Sequence, residues 1–234
     1  MRIHHSIEEF PSEIKTIVTI GTFDGVHKGH KAIINRINEI AKKEGLESVL
    51  LTFYPHPRHV LFPDDQELRL INTIEEKKEA LRNTDLQNLV IHKFTKEFSR
   101  TNSVNFIRDV LVNKLNMKYM VVGFNHHFGK NREGTYDNLL EMSELYDFRI
   151  EKIEPQDIDG VILSSTKIRN AIKNGDIKKV NSYLCCNFSI SGKVVQGNKI
   201  GRSIGFPTAN IKIDNQWKIL PADGVYAVKV YLNN

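Results

Sequence analysis

The stretch Thr16-Ile17-Val18-Thr19-Ile20-Gly21-Thr22-Phe23-Asp24-Gly25-Val26-His27-Lys28-Gly29-His30 decides how the rest of the chain is read. Its first five residues have the unbroken β-branched character of a strand buried on both faces. The glycine-punctuated turn that follows opens an amphipathic helix, expected over about residues 29–43. His27 and His30 stand nearly one helical turn apart, so both imidazoles face one ligand at the start of that helix. A helix start also offers unpaired backbone N–H groups and the positive end of the dipole. Gly29 removes a side chain between the histidines, and Gly21 and Gly25 serve the tight turn. The product is an anion cradle with two added donors, suited to a nucleoside triphosphate.

Outward from this motif, β-rich runs alternate with amphipathic segments. Strands are expected at residues 48–53, ended by the turn Pro55-His56-Pro57, and near 89–91, 119–123 and 148–153. Helices are expected over 104–114 and 136–145, and Thr73-Ile74-Glu75-Glu76 has the form of a capping box. This order predicts an α/β fold, a doubly wound parallel sheet with helices on both faces. After Leu184 the character changes. Residues 187–211 mix β-formers with Gly192, Gly197, Gly201 and Gly205, and residues 225–231 form another β-rich run. The expectation is a first domain over 1–184, then an incomplete small antiparallel β-barrel over 185–234.

The 234 residues are 40% hydrophobic and 26% charged, the balance of an ordinary soluble domain. No apolar run matches a bilayer and the N-terminus lacks a secretory signal, so a cytoplasmic location and no membrane partner are expected. Cys185 and Cys186 are adjacent, a poor disulfide geometry, and are read as structural. A net charge of +5 and a pI near 9.1 raise nucleic acid as a partner. The basic residues are interleaved with acids, however, as in Glu75-Glu76-Lys77-Lys78-Glu79, which reads as a solvated helix face. No nucleic-acid partner is expected; the basic balance suits polyphosphate substrates.

A second constellation, Leu163-Ser164-Ser165-Thr166-Lys167-Ile168-Arg169, puts hydroxyls at a helix start and a guanidinium one turn later. Hydroxyls there are routinely helix caps. With the histidine motif upstream, the functional reading gains weight: Arg169 stabilises charge developing on a departing pyrophosphate.

Together, Gly21-Thr22-Phe23-Asp24-Gly25-Val26-His27-Lys28-Gly29-His30 and Ser164-Ser165-Thr166-Lys167-Ile168-Arg169 resemble the HxGH nucleotidyltransferases. More narrowly, the chain resembles the bacterial riboflavin kinase/FAD synthetase family. The segments Thr52-Phe53-Tyr54-Pro55-His56-Pro57, Phe94-Thr95-Lys96-Glu97-Phe98 and Gly123-Phe124-Asn125-His126-His127-Phe128-Gly129-Lys130 carry that likeness. So do Gly192-Lys193-Val194-Val195-Gln196-Gly197, Gly201-Arg202 and Gly205-Phe206-Pro207-Thr208-Ala209-Asn210. The resemblance implies transfer of AMP from ATP to FMN, giving FAD and pyrophosphate, with Mg²⁺ accompanying ATP. It implies that His27, His30 and Arg169 are catalytic, and that Gly21, Thr22, Phe23, Asp24, Gly29, Ser165 and Thr166 bind ATP. Phe53, Pro55, His56, Pro57 and Asn125 would border the flavin. Thr208 and Asn210 would hold Mg-ATP in the kinase module. By residue type alone, Phe53 packs a core more often than a ligand.

The chemistry fits those residue types. The nucleophile is an FMN phosphate oxygen, already ionised at neutral pH, so catalysis rests on in-line positioning and charge neutralisation. Two departures from the family pattern stand out. His126-His127 replaces an aromatic followed by Arg or another polar residue; as neighbours in a strand they point apart, and no protein metal site is expected. The family's kinase glutamate falls beyond Asn234, so riboflavin phosphorylation is expected of a longer parent and not of this chain. Other HxGH enzymes acting on a pantetheine or nicotinate phosphate, or a non-catalytic flavin or nucleotide sensor, are the competing readings.

Overall fold

The computed structural model describes all residues except Gln66, Asn125, His126, Asn131, Arg132, Gln156, Asp159, Gly160, Asn233 and Asn234, and only the backbone of 157, 158 and 161. In chain order the elements are β1 (Arg2–His4), β2 (Thr16–Ile20), α1 (Lys28–Glu44), β3 (Glu47–Tyr54), α2 (Pro57–Leu61), α3 (Ile74–Arg82) and β4 (Asn88–Lys93). There follow α4 (Ser103–Asn105), continued by a wider helix over Phe106–Lys114, then β5 (Met117–Gly123), α5 (Tyr136–Tyr146) and β6 (Arg149–Ile153). The last are β7 (Asp157–Ile158), β8 (Val161–Ile162), α6 (Ser165–Lys173), α7 (Ile177–Leu184), β9 (Lys193–Val195), α8 (Ile200–Ser203) and β10 (Asn210–Lys212).

Six strands form one sheet in the order β1-β4-β3-β2-β5-β6, every pairing parallel. Their apolar runs serve two cores at once. Val18, Ile20, Val49, Leu51, Met120 and Val122 face one side, packed with Phe106, Ile107, Leu111 and Leu139. Ile17, Leu50 and Val121 face the other, packed with Ile34, Ile37 and Leu81 of α1 and α3. This is the two-sided burial that an all-parallel sheet requires. A third cluster, with Ile71, Ile168, Ile172, Val180 and Leu184, seats α6 and α7 beyond the sheet.

Chain order places the site. From β2 the chain steps outward through β3 and β4, then crosses back so that β5 pairs with the other side of β2. Strand order reverses between β2 and β5, and ligands of such sheets bind at the carboxyl ends on either side of that point. The loop after β2 carries the histidine motif.

Some sequence expectations form as read and others differ. The capping box at Thr73 is present, with reciprocal bonds to Glu76. The helix expected over 104–114 is there, but from Phe106 it is wound with i→i+5 bonding, as in Leu115 N–H to Val110 O. β1, α2 and α7 were not expected. The β-rich run 225–231 forms no strand, and Val225, Val228, Val230 and Tyr231 are exposed. β-branched residues favour a strand only against a partner, and this run has none among the described residues. The expected barrel reduces to one antiparallel pair, β9 with β10, and no closed barrel is present among the described residues. Cys185 and Cys186 are free and exposed.

Candidate active site

The loop from Gly21 to His27 is held in a costly shape. Gly25 has φ +92°, as its residue type allows, but Phe23 and Val26 also take positive φ, 46° and 41°. Left-handed backbone at such residues costs about 1–3 kcal/mol each and persists only where surroundings over-determine it. Here both side chains are buried in the core shared with α1. Gly21, read from sequence as a turn glycine, is needed instead for space: a Cβ there would lie 3.1 Å from the Phe23 ring.

His27 is the N-cap of α1, its Nδ1 accepting from His30 N–H at 3.4 Å. The two imidazoles stack with centroids 3.7 Å apart, and Phe23 lies 4.5 Å from the His30 ring. Burial pushes the His27 imidazole down to about 4, with Asp24 opposing and Arg169 adding to the shift. His30 is held well below the ordinary histidine range by burial, then by His27 and Lys77. Its Nδ1 is buried with no partner among the described residues. Burial thus leaves neutral imidazoles at a helix N-terminus. The first turn of α1 has no acidic residue and carries Lys28, His30 and Lys31, the reverse of the usual preference and the pattern of an anion site.

Asp24 organises the floor. Its carboxylate, 2% exposed, accepts from Ile71 N–H at 3.0 Å and Asn72 N–H at 3.1 Å. Arg169 Nη2 reaches Asp24 Oδ2 at 2.7 Å, and Arg169 Nε donates to Arg69 O at 2.8 Å. The arginine expected at the leaving group is thus paired with Asp24. The Ser165 hydroxyl donates to Asp24 O at 2.9 Å, while Thr166 is exposed on the first turn of α6. The cap of α6 is Ser164, its side chain accepting from Lys167 N–H.

Lys77 is the residue that sequence reasoning missed. Read as part of a solvated face, it is 7% exposed, and its ammonium donates to Thr22 O at 2.6 Å. Burial lowers its pKa to about 8, with Asp24 opposing. The signal was available: Ile74, Lys77, Ala80 and Leu81 share one helical stripe, so Lys77 faces the apolar side. Glu76, also read as solvated, is buried against Lys218.

The flavin candidates divide. His56 caps α2 by accepting from Arg58 N–H, with Pro57 at the first helical position. Burial takes its imidazole to about 4; Asp24 raises it, and Lys77, His59 and Arg169 lower it further. His56 therefore shares one electrostatic neighbourhood with the histidine motif. Phe53 is half-buried, edge-on to Phe94 at 5.5 Å and tilted to Phe98 at 5.7 Å, packed against the core. Pro55 is exposed. Asn125 and His126 lie outside the described residues. Thr208 and Asn210 are exposed, beside the close approaches that Gly201 and Gly197 permit. A cleft of about 770 Å³ between α1, α3 and residues 184–191 is lined by Lys31, Glu75, Leu184 and Phe188, and by none of His27, His30, Lys77 or Arg169. Among the described residues no group of three or more His, Cys, Asp or Glu could hold a metal ion. No helix among them is long and apolar enough to cross a membrane.

A family model described as FAD synthetase matches residues 10–167, and one described as riboflavin kinase matches residues 184–234. The bifunctional riboflavin kinase/FMN adenylyltransferase of Bacillus subtilis (strain 168) is 37% identical over 235 residues, spanning 98% of this chain and 71% of that protein. The protein of the same description from Escherichia coli (strain K12) is 35% identical over 226 residues, spanning 97% of this chain and 71% of that protein. A crystal structure described as a macrolide-efflux protein from Streptococcus pneumoniae matches with a TM-score of 0.85 at 30% identity, covering 96% of this chain and 72% of that one.

Proposed function

The chain belongs to the bacterial riboflavin kinase/FAD synthetase family, and from that premise we propose how its residues carry out FMN adenylylation. ATP is the AMP donor and FMN the acceptor. A phosphate oxygen of FMN attacks the α-phosphorus, the bond from that phosphorus to the bridging oxygen breaks, and pyrophosphate leaves with the bond electrons. FAD and pyrophosphate are the products. No proton need be removed from the nucleophile, so the protein's work is alignment and charge neutralisation.

The observation that carries this reading is the stacked pair His27–His30 at the acid-free N-terminus of α1, beside Lys77 and Arg169. The α1 terminus and the two imidazoles receive the ATP phosphates, aided by Gly29. Gly21, Thr22, Phe23 and Asp24 line the nucleotide site through their backbone. Arg169 exchanges its Asp24 partner for the departing pyrophosphate, a charge-assisted contact of the strong kind. Ser165 and Thr166, on the first turn of α6, close over the phosphates. Phe53, Pro55, His56, Pro57 and Asn125 border the flavin. Mg²⁺ enters with ATP as part of the substrate. Residues 1–184 form the adenylylating unit and 185–234 the kinase-like one. That no helix among the described residues is long and apolar enough to cross a membrane is compatible with work in the cytoplasm.

The experiment is product identification by chromatography after incubating the chain and MgATP with FMN, a pantetheine phosphate or a nicotinate mononucleotide in turn. FAD from FMN, and no adenylylated product from the others, is expected; adenylylation of another acceptor at a higher rate would replace the flavin reading.

A further inference from the structure

The C-terminal segment reaches back to the wall of the adenylylation site. Leu70 N–H donates to Trp217 O at 2.6 Å, and Ile219 N–H donates to Leu70 O at 2.9 Å. Ile219, 2% exposed, joins the third apolar cluster beside Ile71 and Ile172. Between these anchors the Lys218 side chain is fully buried. Its ammonium donates to Ile71 O at 2.7 Å and to Glu76 Oε2 at 2.6 Å, and lies 4.5 Å from the Phe188 ring centre. Trp217, the one tryptophan of the sequence, stacks on His59 at 3.9 Å, and His59 neighbours His56 at 5.6 Å.

The loop gripped by Lys218 is the loop that holds Asp24. The Ile71 carbonyl takes the ammonium, while the N–H groups of Ile71 and Asn72 bind the Asp24 carboxylate. Asp24 in turn fixes Arg169, whose Nε is bound by Arg69 O of the same loop. A buried ammonium is costly, and an apolar side chain would fill the cluster without that cost. What the ammonium adds is a fixed location for one carbonyl and one carboxylate.

We propose that Lys218 is a positioning residue for adenylyl transfer: it fixes loop 70–72, which fixes Asp24 and thereby the place of Arg169. The C-terminal segment is then part of the leaving-group site. This rests on the FMN adenylylation reading.

The test uses the whole chain, with Lys218→Met removing the ammonium and Lys218→Arg keeping the charge. In Lys218→Met, kcat for FAD formation should fall about tenfold with the KM for FMN within about twofold, and Lys218→Arg should recover most of it. A shared route is non-additive, so in an Arg169→Ala background Lys218→Met should cost less than about twofold more. MgATP affinity, measured by calorimetry, should weaken about tenfold in Lys218→Met and not in Lys218→Arg. If the wild type forms no FAD, the functional reading fails, and MgATP affinity alone then decides the positioning role. Should Lys218→Met not fold by circular dichroism, Glu76→Gln reads the same link, with the same losses expected. A folded variant with kcat and MgATP affinity within about twofold of wild type, or losses that add to those of Arg169→Ala, would overturn the proposal.

Discussion

His27 and His30 stack at 3.7 Å, a spacing that two neutral rings tolerate and two imidazolium ions would not. Burial holds both imidazoles neutral, so acid must work against the fold. The unfolded His27 titrates near 6.5 and the folded one near 4, so between those values the unfolded state binds more protons. Stability then rises with pH through that window and is lost as pH falls from about 6.5 towards 4. For His27, 5% exposed, the full effect is about 3 kcal/mol, and His56 acts in the same direction. Thermal melts of the ligand-free protein should therefore fall steeply between pH 6.5 and 4.5; a flat profile there would mean that the buried histidines are not held neutral. At this scale the places of His27 and His30 at the start of α1 and of Arg169 on α6 were legible, because spacing along a helix is local. It was silent about Asp24 as an organiser of Arg169, since that pairing joins residues 145 apart. Lys77 was misread because charge type outweighed its place on the apolar stripe of α3.

The loop joining β2 to α1 accepts strain at Phe23 and Val26 so that α1 can start just after its His27 cap. Gly25 is the position with least room for change: its φ is +92°, and a Cβ would meet Ile71 Cδ1 at 3.0 Å. Gly25→Ala should cost about 1–2 kcal/mol, combining left-handed strain with pressure on Ile71. Its melting midpoint should drop, and FAD formation should drop further than stability explains, because Ile71 N–H holds Asp24. A variant melting and turning over like wild type would contradict this account of the loop. Strands β2 to β6 were legible because apolar runs and helical stripes are local patterns. The wide winding after Phe106 was not, because i→i+5 and i→i+4 bonding use the same residues. The missing strand at 225–231 shows the limit of β propensity, which is realised only by pairing.

Across the whole molecule, the segment after Leu184 does two different things. Residues 217–219 dock on loop 70–72 with buried Lys218 and Ile219, contacts 142 to 149 residues distant that no periodicity announces. Val194, Ile200, Phe206, Val225 and Val228, in contrast, stay exposed where a barrel would bury them. Thr208 and Asn210 accordingly sit on an open surface without the enclosure that phosphoryl transfer needs to exclude water. The 234-residue chain should therefore form no FMN from riboflavin and MgATP above a boiled control, and FMN accumulating at the rate of FAD synthesis would contradict this.

On the proposed reading, the stacked histidines at the α1 terminus hold the ATP phosphates while an FMN phosphate oxygen takes the AMP group. The rate of FAD and pyrophosphate release from FMN and MgATP, compared between wild type and a folded His30→Ala, decides whether they do. Turnover by wild type with a loss of about 10²–10³-fold in His30→Ala is predicted, the scale of removing one preorganised donor. Equal rates in the two proteins, or no FAD from either, would contradict it.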